Sequence, residues 1–142
     1  MRVKDLLKKK PIVISKDATI REAASLMTKE QVGLLVLVDT SNPNKPLAVV
    51  SERDIIRAVS RGTNLDSKVD AISSNKIVTV LQEDDVGAAA AKINSNKIRH
   101  LVVLDKLGRL AGVLSLRDLV AEKATLQAII SSYQSETLPG GD

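Results

Sequence analysis

The chain has 142 residues and a net charge of +4, from 21 basic and 17 acidic side chains, which describes an ordinary mixed surface more than a polyanion-binding one. Hydrophobic residues make up 44%, enough for one compact domain or two small ones fused tightly; with one Tyr and no Phe or Trp the core is aliphatic, which argues against a base-stacking platform for single-stranded nucleic acid. The absence of Cys excludes disulfides and thiolate metal sites, and one His cannot supply a multi-histidine metal centre.

In chain order, residues 3–7 read as a short helical turn and 12–14 as a short strand. Helical spacing follows at Ile20, Ala23, Ala24 and Met27. Thr19, with Glu22 three residues on, forms a capping box that fixes this helix start, and Gly33 breaks the pattern. Residues 34–38 are five consecutive apolar side chains bounded by turns, the pattern of a strand buried on both faces. A loop with Pro and Asn leads to a strand at 47–50 and a helix from about Arg53 to Ser60, closed by basic Arg61 and by Gly62. The order then recurs. Residues 77–80 read as a strand, and Asp84 and Asp85 precede a helix through Val86 and residues 88–93, acids where the helix dipole favours them. Strands at 100–104 and 110–114 flank the turn 105–108. A last helix is expected from about Leu116 into Ile130 and as far as Tyr133, before a loose end at 138–142. Each half reads β-α-β-β-α, a mixed α/β (α+β) architecture.

The recurrence is also one of residues. An offset of 66 matches Val3 with Val69, Ile14 with Val80, Ala23-Ala24 with Ala89-Ala90, Leu35-Val36 with Leu101-Val102 and Asp39 with Asp105. An offset of 64 matches Ser51-Glu52-Arg53-Asp54 with Ser115-Leu116-Arg117-Asp118. The difference falls between Asp39 and Leu47, in a loop, where insertions collect. Halves of about 60 residues are small for separate cores, so the two are expected to pack as one pseudo-twofold unit. Each Ser-x-x-Asp stands where a strand gives way to a helix. That puts a hydroxyl and a carboxylate beside free backbone N–H groups, a place to hold a sugar and a phosphate.

This order and these motifs resemble the CBS domain family, over residues 2–123. Asp5-Leu6-Leu7 and Asp70-Ala71-Ile72-Ser73 are similar to its Asp-Leu-Met-Thr opening. The capped first helix follows, then the central strands within residues 32–39 and 98–105, then the Ser-x-x-Asp ends. The resemblance implies repeat 1 over 2–62, repeat 2 over 63–123, and a C-terminal helix extension and tail over 124–142, with the repeats packed through their sheets. It also implies clefts between the repeats for AMP, ADP, ATP or S-adenosylmethionine, and a disc-like homodimer.

Carried over residue by residue, the resemblance makes Asp54 and Asp118 ribose ligands, since a carboxylate accepts bonds from two sugar hydroxyls; the alternative role is that of a first-turn acid. Ser51 and Ser115 become phosphate or ribose contacts, or helix N-caps, or both. Arg99 and His100 become phosphate ligands, Arg for its bidentate bonds, although His100 also fits a satisfied, partly buried strand residue. The first half has Gly33-Leu34 there, so the two clefts are not expected to be equivalent. Arg53 and Arg117 would approach phosphate, pair across a dimer, or lie on a solvated face. Val13, Val32, Val49, Val78, Ile98 and Val113 match the base pocket, two or three of them touching ligand and the rest being core. Ser73 matches the family's early Thr, which Lys8 replaces in the first half; Ala48 replaces the Gly that Gly112 keeps. Both departures weaken the first half's site.

The leading expectation is a regulatory adenine-nucleotide sensor that signals to a separate effector protein. Its alternatives are an interaction scaffold with vestigial clefts and a nucleic-acid binder using the cluster Lys8-Lys9-Lys10. No cofactor is required, and catalysis is not expected, because no nucleophile–base set, paired acids or metal cluster stands out. Residues 1–5 show no apolar signal region and no stretch nears the roughly 20 apolar residues of a membrane span, so the expected location is cytoplasmic, away from membranes.

Overall fold

Five buried residues in a row set the plan of the molecule. The computed structural model describes residues 1–121, 127 and 130–134. Its first half runs β1 (Val13–Ser15), α1 (Ile20–Glu30), β2 (Leu34–Val38), β3 (Ala48–Ser51) and α2 (Glu52–Ser60); its second runs β4 (Thr79–Leu81), α3 (Val86–Asn96), β5 (His100–Leu104), β6 (Leu110–Ser115) and α4 (Leu116–Ala121). Each half forms a three-stranded sheet with its second strand in the centre, β1-β2-β3 and β4-β5-β6. The first pair in each is parallel and the second antiparallel.

Side chains alternate across a strand, so a wholly buried β2 must be covered twice. Leu35 and Leu37 pack under α1 with Ala23 and Met27. Val36 and Val38 point the other way and meet Val102 of β5, with Val13, Val49, Leu104 and Val113 around them. The two sheets thus pack on each other through valine-rich faces. In the second half Leu101 and Val103 cover the helix side, with Ala89, Ile93 and Leu119.

The opening turns are exchanged between halves. Val3 and Leu6, from the 3-10 turn Val3–Leu6, lie in the second half's core, whereas Val69, from the equivalent turn Val69–Ile72, lies in the first half's. Backbone bonds fix both: Val3 N–H donates to Asp84 O at 2.9 Å, and Val69 N–H to Ala18 O at 2.7 Å. Ion pairs sit over each seam, Lys4 with Glu83 at 2.8 Å and Lys68 with Asp17 at 3.1 Å. Neither half closes its core without residues from the other.

Several boundaries differ from the sequence reading. β1, β3 and β4 begin one or two residues late, because a strand begins at its first paired residue; β1 opens at Val13 opposite Val36, and β4 at Thr79 opposite Val102. Only half of the capping box at α1 forms: Thr19 Oγ1 accepts the Glu22 amide at 3.0 Å, but no bond returns from Glu22. The stop of α1 is not Gly33 but Gln31, in the left-handed region at φ 56°, and α3 ends in the same way at Lys97, φ 53°. Such a conformation costs a non-glycine residue about 1–2 kcal/mol. It is offset by bonds that satisfy the last carbonyls, Val32 N–H to Met27 O at 3.1 Å and Ile98 N–H to Ile93 O at 3.2 Å. Gly62, at φ 70°, does end α2 as expected. The last helix forms over Leu116–Ala121 and residues 130–134 are helical; the rest of that expectation and the end at 138–142 lie outside the described residues.

Candidate functional site

Both Ser-x-x-Asp corners are closed capping boxes. At the first, Ser51 N–H donates to Asp54 Oδ2 at 2.8 Å and the Asp54 amide donates to Ser51 Oγ at 3.3 Å. At the second, Ser115 N–H donates to Asp118 Oδ2 at 2.9 Å and the Asp118 amide to Ser115 Oγ at 3.0 Å. One carboxylate oxygen of each Asp is thus committed to the helix start. The other oxygen distinguishes the corners. Asp54 Oδ1 accepts a bond from Arg57 Nη1 at 3.3 Å. Asp118 has Ala121 at the corresponding position, and among the described residues its Oδ1 has no partner.

The straps that lead into β1 and β4 differ too. Ser74 forms a two-bond bridge with Val49 of β3, each amide donating to the other's carbonyl at 2.9 Å. The equivalent residues, Lys8 and Val113, form no such bridge. Beside Asp118 lies an open cleft of about 1090 Å³. Its walls include Lys8, Lys9, Lys10, Ile12, Val32 and Gly33 from the first half, and Arg99, His100, Val113, Ser115, Arg117 and Asp118 from the second. A recess of about 500 Å³ near the other strap is lined by Leu47, Ala48, Asp70 and residues 73–76, and reaches neither Ser51 nor Asp54.

The cleft is cationic. Lys8, Lys9, Lys10, Arg99 and Arg117 line it against two carboxylates, Glu52 and Asp118. None of these five joins any of the six ion pairs among the described residues. His100 stands between the acids: burial pushes its imidazole below the ordinary value of 6.5, while Glu52 and Asp118 pull it up and Arg99 pushes it down. The net direction favours the neutral imidazole. The residue before each central strand is tied to the facing corner, Leu116 N–H to Arg99 O at 2.7 Å and Glu52 N–H to Gly33 O at 3.0 Å. A Cβ on Gly33 would lie 3.4 Å from Glu52 Oε1 and 3.6 Å from His100 Cε1, ordinary contact distances, which places both side chains over Gly33.

Of the residues singled out from the sequence, the cleft brings together Ser115, Asp118, Arg99, His100, Arg117, Val32 and Val113. Ser51, Asp54, Val13, Val49, Val78 and Ile98 lie outside it, and Ser73 borders the smaller recess. Val13 and Val49 pack between the sheets, and Val78 and Ile98 against the second core. Arg53 is exposed and lines neither space. Glu52 went unremarked in the sequence, although its replacement by Leu116 in the second copy was a visible break in the repeat. Lys9 and Lys10 were singled out in the sequence only within the basic cluster of the nucleic-acid alternative, not as walls of a cleft.

The CBS domain family matches residues 3–61 and 69–124. The chain belongs to the CBS domain family. A CBS domain protein from Pyrobaculum aerophilum complexed with AMP has a similar structure, with a TM-score of 0.88 and 46% identity, covering 92% of this chain and 99% of that one. A CBS domain pair in complex with 5′-methylthioadenosine and S-adenosyl-L-methionine superposes with a TM-score of 0.77 at 25% identity, covering 85% and 98%. An uncharacterized 17.7 kDa protein of Acidianus ambivalens is 31% identical over 83% of this chain and 70% of its own length. Among the described residues no helix is long and apolar enough to cross a membrane.

Proposed function

We propose that this CBS pair is a regulatory module that binds an adenine nucleotide, AMP, ADP, ATP or a related adenosyl ligand, in the Asp118 cleft and signals to a separate protein. One observation carries the reading: Asp118 Oδ1 and the five cations Lys8, Lys9, Lys10, Arg99 and Arg117, all without a partner among the described residues, border the same cleft. The carboxylate suits ribose hydroxyls and the cations suit phosphate. Val32, Val113 and Ile12 offer an aliphatic slot for a base. The AMP held by the Pyrobaculum relative supports the same ligand class here. CBS pairs of this kind are typically regulatory and not catalytic.

The Asp54 corner suits the scaffold alternative. Its carboxylate is taken by Arg57, its strap is pinned to Val49, and neither Ser51 nor Asp54 meets an open space. In this reading the chain has one working cleft and one structural corner. The three lysines that suggested nucleic-acid binding line the cleft, which favours a small anion over a duplex.

Assembly and signalling follow the same logic. Ile56 and Val59 on α2 are 66% and 59% exposed, and Leu116 and Val120 on α4 are also exposed. These apolar helix edges are the face we assign to a homodimer. A ligand alters such an assembly only by binding one of its geometries better than another.

The test is calorimetric titration of the wild type and of Asp118→Asn with AMP, ADP, ATP and S-adenosylmethionine. Asn keeps the capping acceptor and removes the charge. Binding of at least one ligand that weakens in the variant is expected; no heat with any of them overturns the reading.

A further inference from the structure

The cleft carries more positive charge than a nucleoside monophosphate answers. Its five cations face two carboxylates, and a phosphate monoester brings only about two negative charges. The excess has a location. Arg99 is anchored through its backbone, its carbonyl accepting the Leu116 amide at 2.7 Å, so its side chain starts beside the Asp118 corner, within reach of the phosphate next to the sugar. The lysines arrive from the other repeat, on the strap that is not pinned. The matching strap reads Ser74-Asn75-Lys76 and is held to Val49. Compact ammonium groups on flexible stems suit terminal phosphates that project away from the sugar, and a chain of phosphates would join the two halves across the cleft.

We propose that the Lys8–Lys10 strap makes this cleft select adenine nucleotides by phosphate number, taking ATP and ADP over AMP. The proposal rests on the reading of the cleft as an adenine-nucleotide site. Each added phosphoryl group brings about one more charge against lysines that have no other partner among the described residues. Exposed pairs are individually weak, so two or three together give about a tenfold preference.

Calorimetry at fixed ionic strength with EDTA, so that no divalent cation neutralises the phosphates, tests this with AMP, ADP, ATP and inorganic tripolyphosphate. The comparison protein is Lys8→Ser/Lys9→Asn, which transplants the chain's own second strap onto the first at two exposed positions. The wild type is expected to bind ATP about tenfold more tightly than AMP, with ADP between, and the variant to bind ATP about as it binds AMP. Equal wild-type affinities for AMP and ATP, or an undiminished preference in the variant, overturn the strap's role and leave the adenine-nucleotide reading standing. Tripolyphosphate binding as tightly as ATP overturns the nucleotide specificity. No binding of any nucleotide overturns both.

Discussion

The two strand-to-helix corners share a cap and differ in everything around it. Each pairs a Ser hydroxyl with an Asp carboxylate across the first turn. One then adds Arg57 to the carboxylate and pins its strap to β3; the other leaves the carboxylate oxygen and the strap without those partners and opens onto the cleft. The two copies therefore keep the same cap, while the groups suited to a ligand stand together on one side. The same motif is a structural element in one half and a candidate site in the other, and its neighbours decide which.

The largest expected effect is one the halves share. Leu35→Ala and Leu101→Ala remove fully buried side chains from equivalent places in the two cores, so each should cost about 2–5 kcal/mol in denaturant unfolding. A large cost in one half alone would break the packing symmetry. The halves should part at the carboxylates. Asp118→Asn is expected to weaken nucleotide binding by about 2 kcal/mol, the worth of a hydrogen bond to a charged group, or roughly 30-fold. Asp54→Asn should leave affinity within about twofold, the cap being kept. Equal losses by calorimetry would mean that both corners bind.

Smaller effects sharpen the contrast. Ser74→Pro removes the amide that donates to Val49 and should cost about 1 kcal/mol of stability, with faster hydrogen exchange at the Val49 amide and unchanged nucleotide affinity. The smallest effect is one of pH. Because burial lowers the His100 value from 6.5, the unfolded chain takes up the proton first. The stability that a neutral His100 contributes is present above 6.5 and is lost as pH falls through the folded value. His100→Gln should flatten this acid slope in thermal melts of the ligand-free protein; an identical slope in the variant would assign it to other groups.

Much of this arrangement was legible in the residues. The first central strand showed as an unbroken apolar run because burial on two faces leaves no polar position, and the start of α2 was written in Ser51 and Asp54, whose bonds are local. The stops at Gln31 and Lys97 were hidden, since neither is a glycine and the bonds that hold them lie in the backbone. The exchanged turns were hidden for a different reason: Val3 and Val69 match in sequence, and only tertiary packing tells which core each one fills. The inequality of the corners was partly visible, in Gly33 against Arg99 and in Lys8 against Ser73, although the turns Val3–Leu6 and Val69–Ile72 set Lys8 opposite Ser74. The pinning of Ser74 to Val49 was not, because a bridge between residues 25 apart in the chain leaves no pattern in either segment.

The claim that one corner binds while its twin only builds the fold is tested most directly by the stoichiometry of a calorimetric titration with ATP. The account predicts one nucleotide per chain. Two equivalent sites per chain would contradict it.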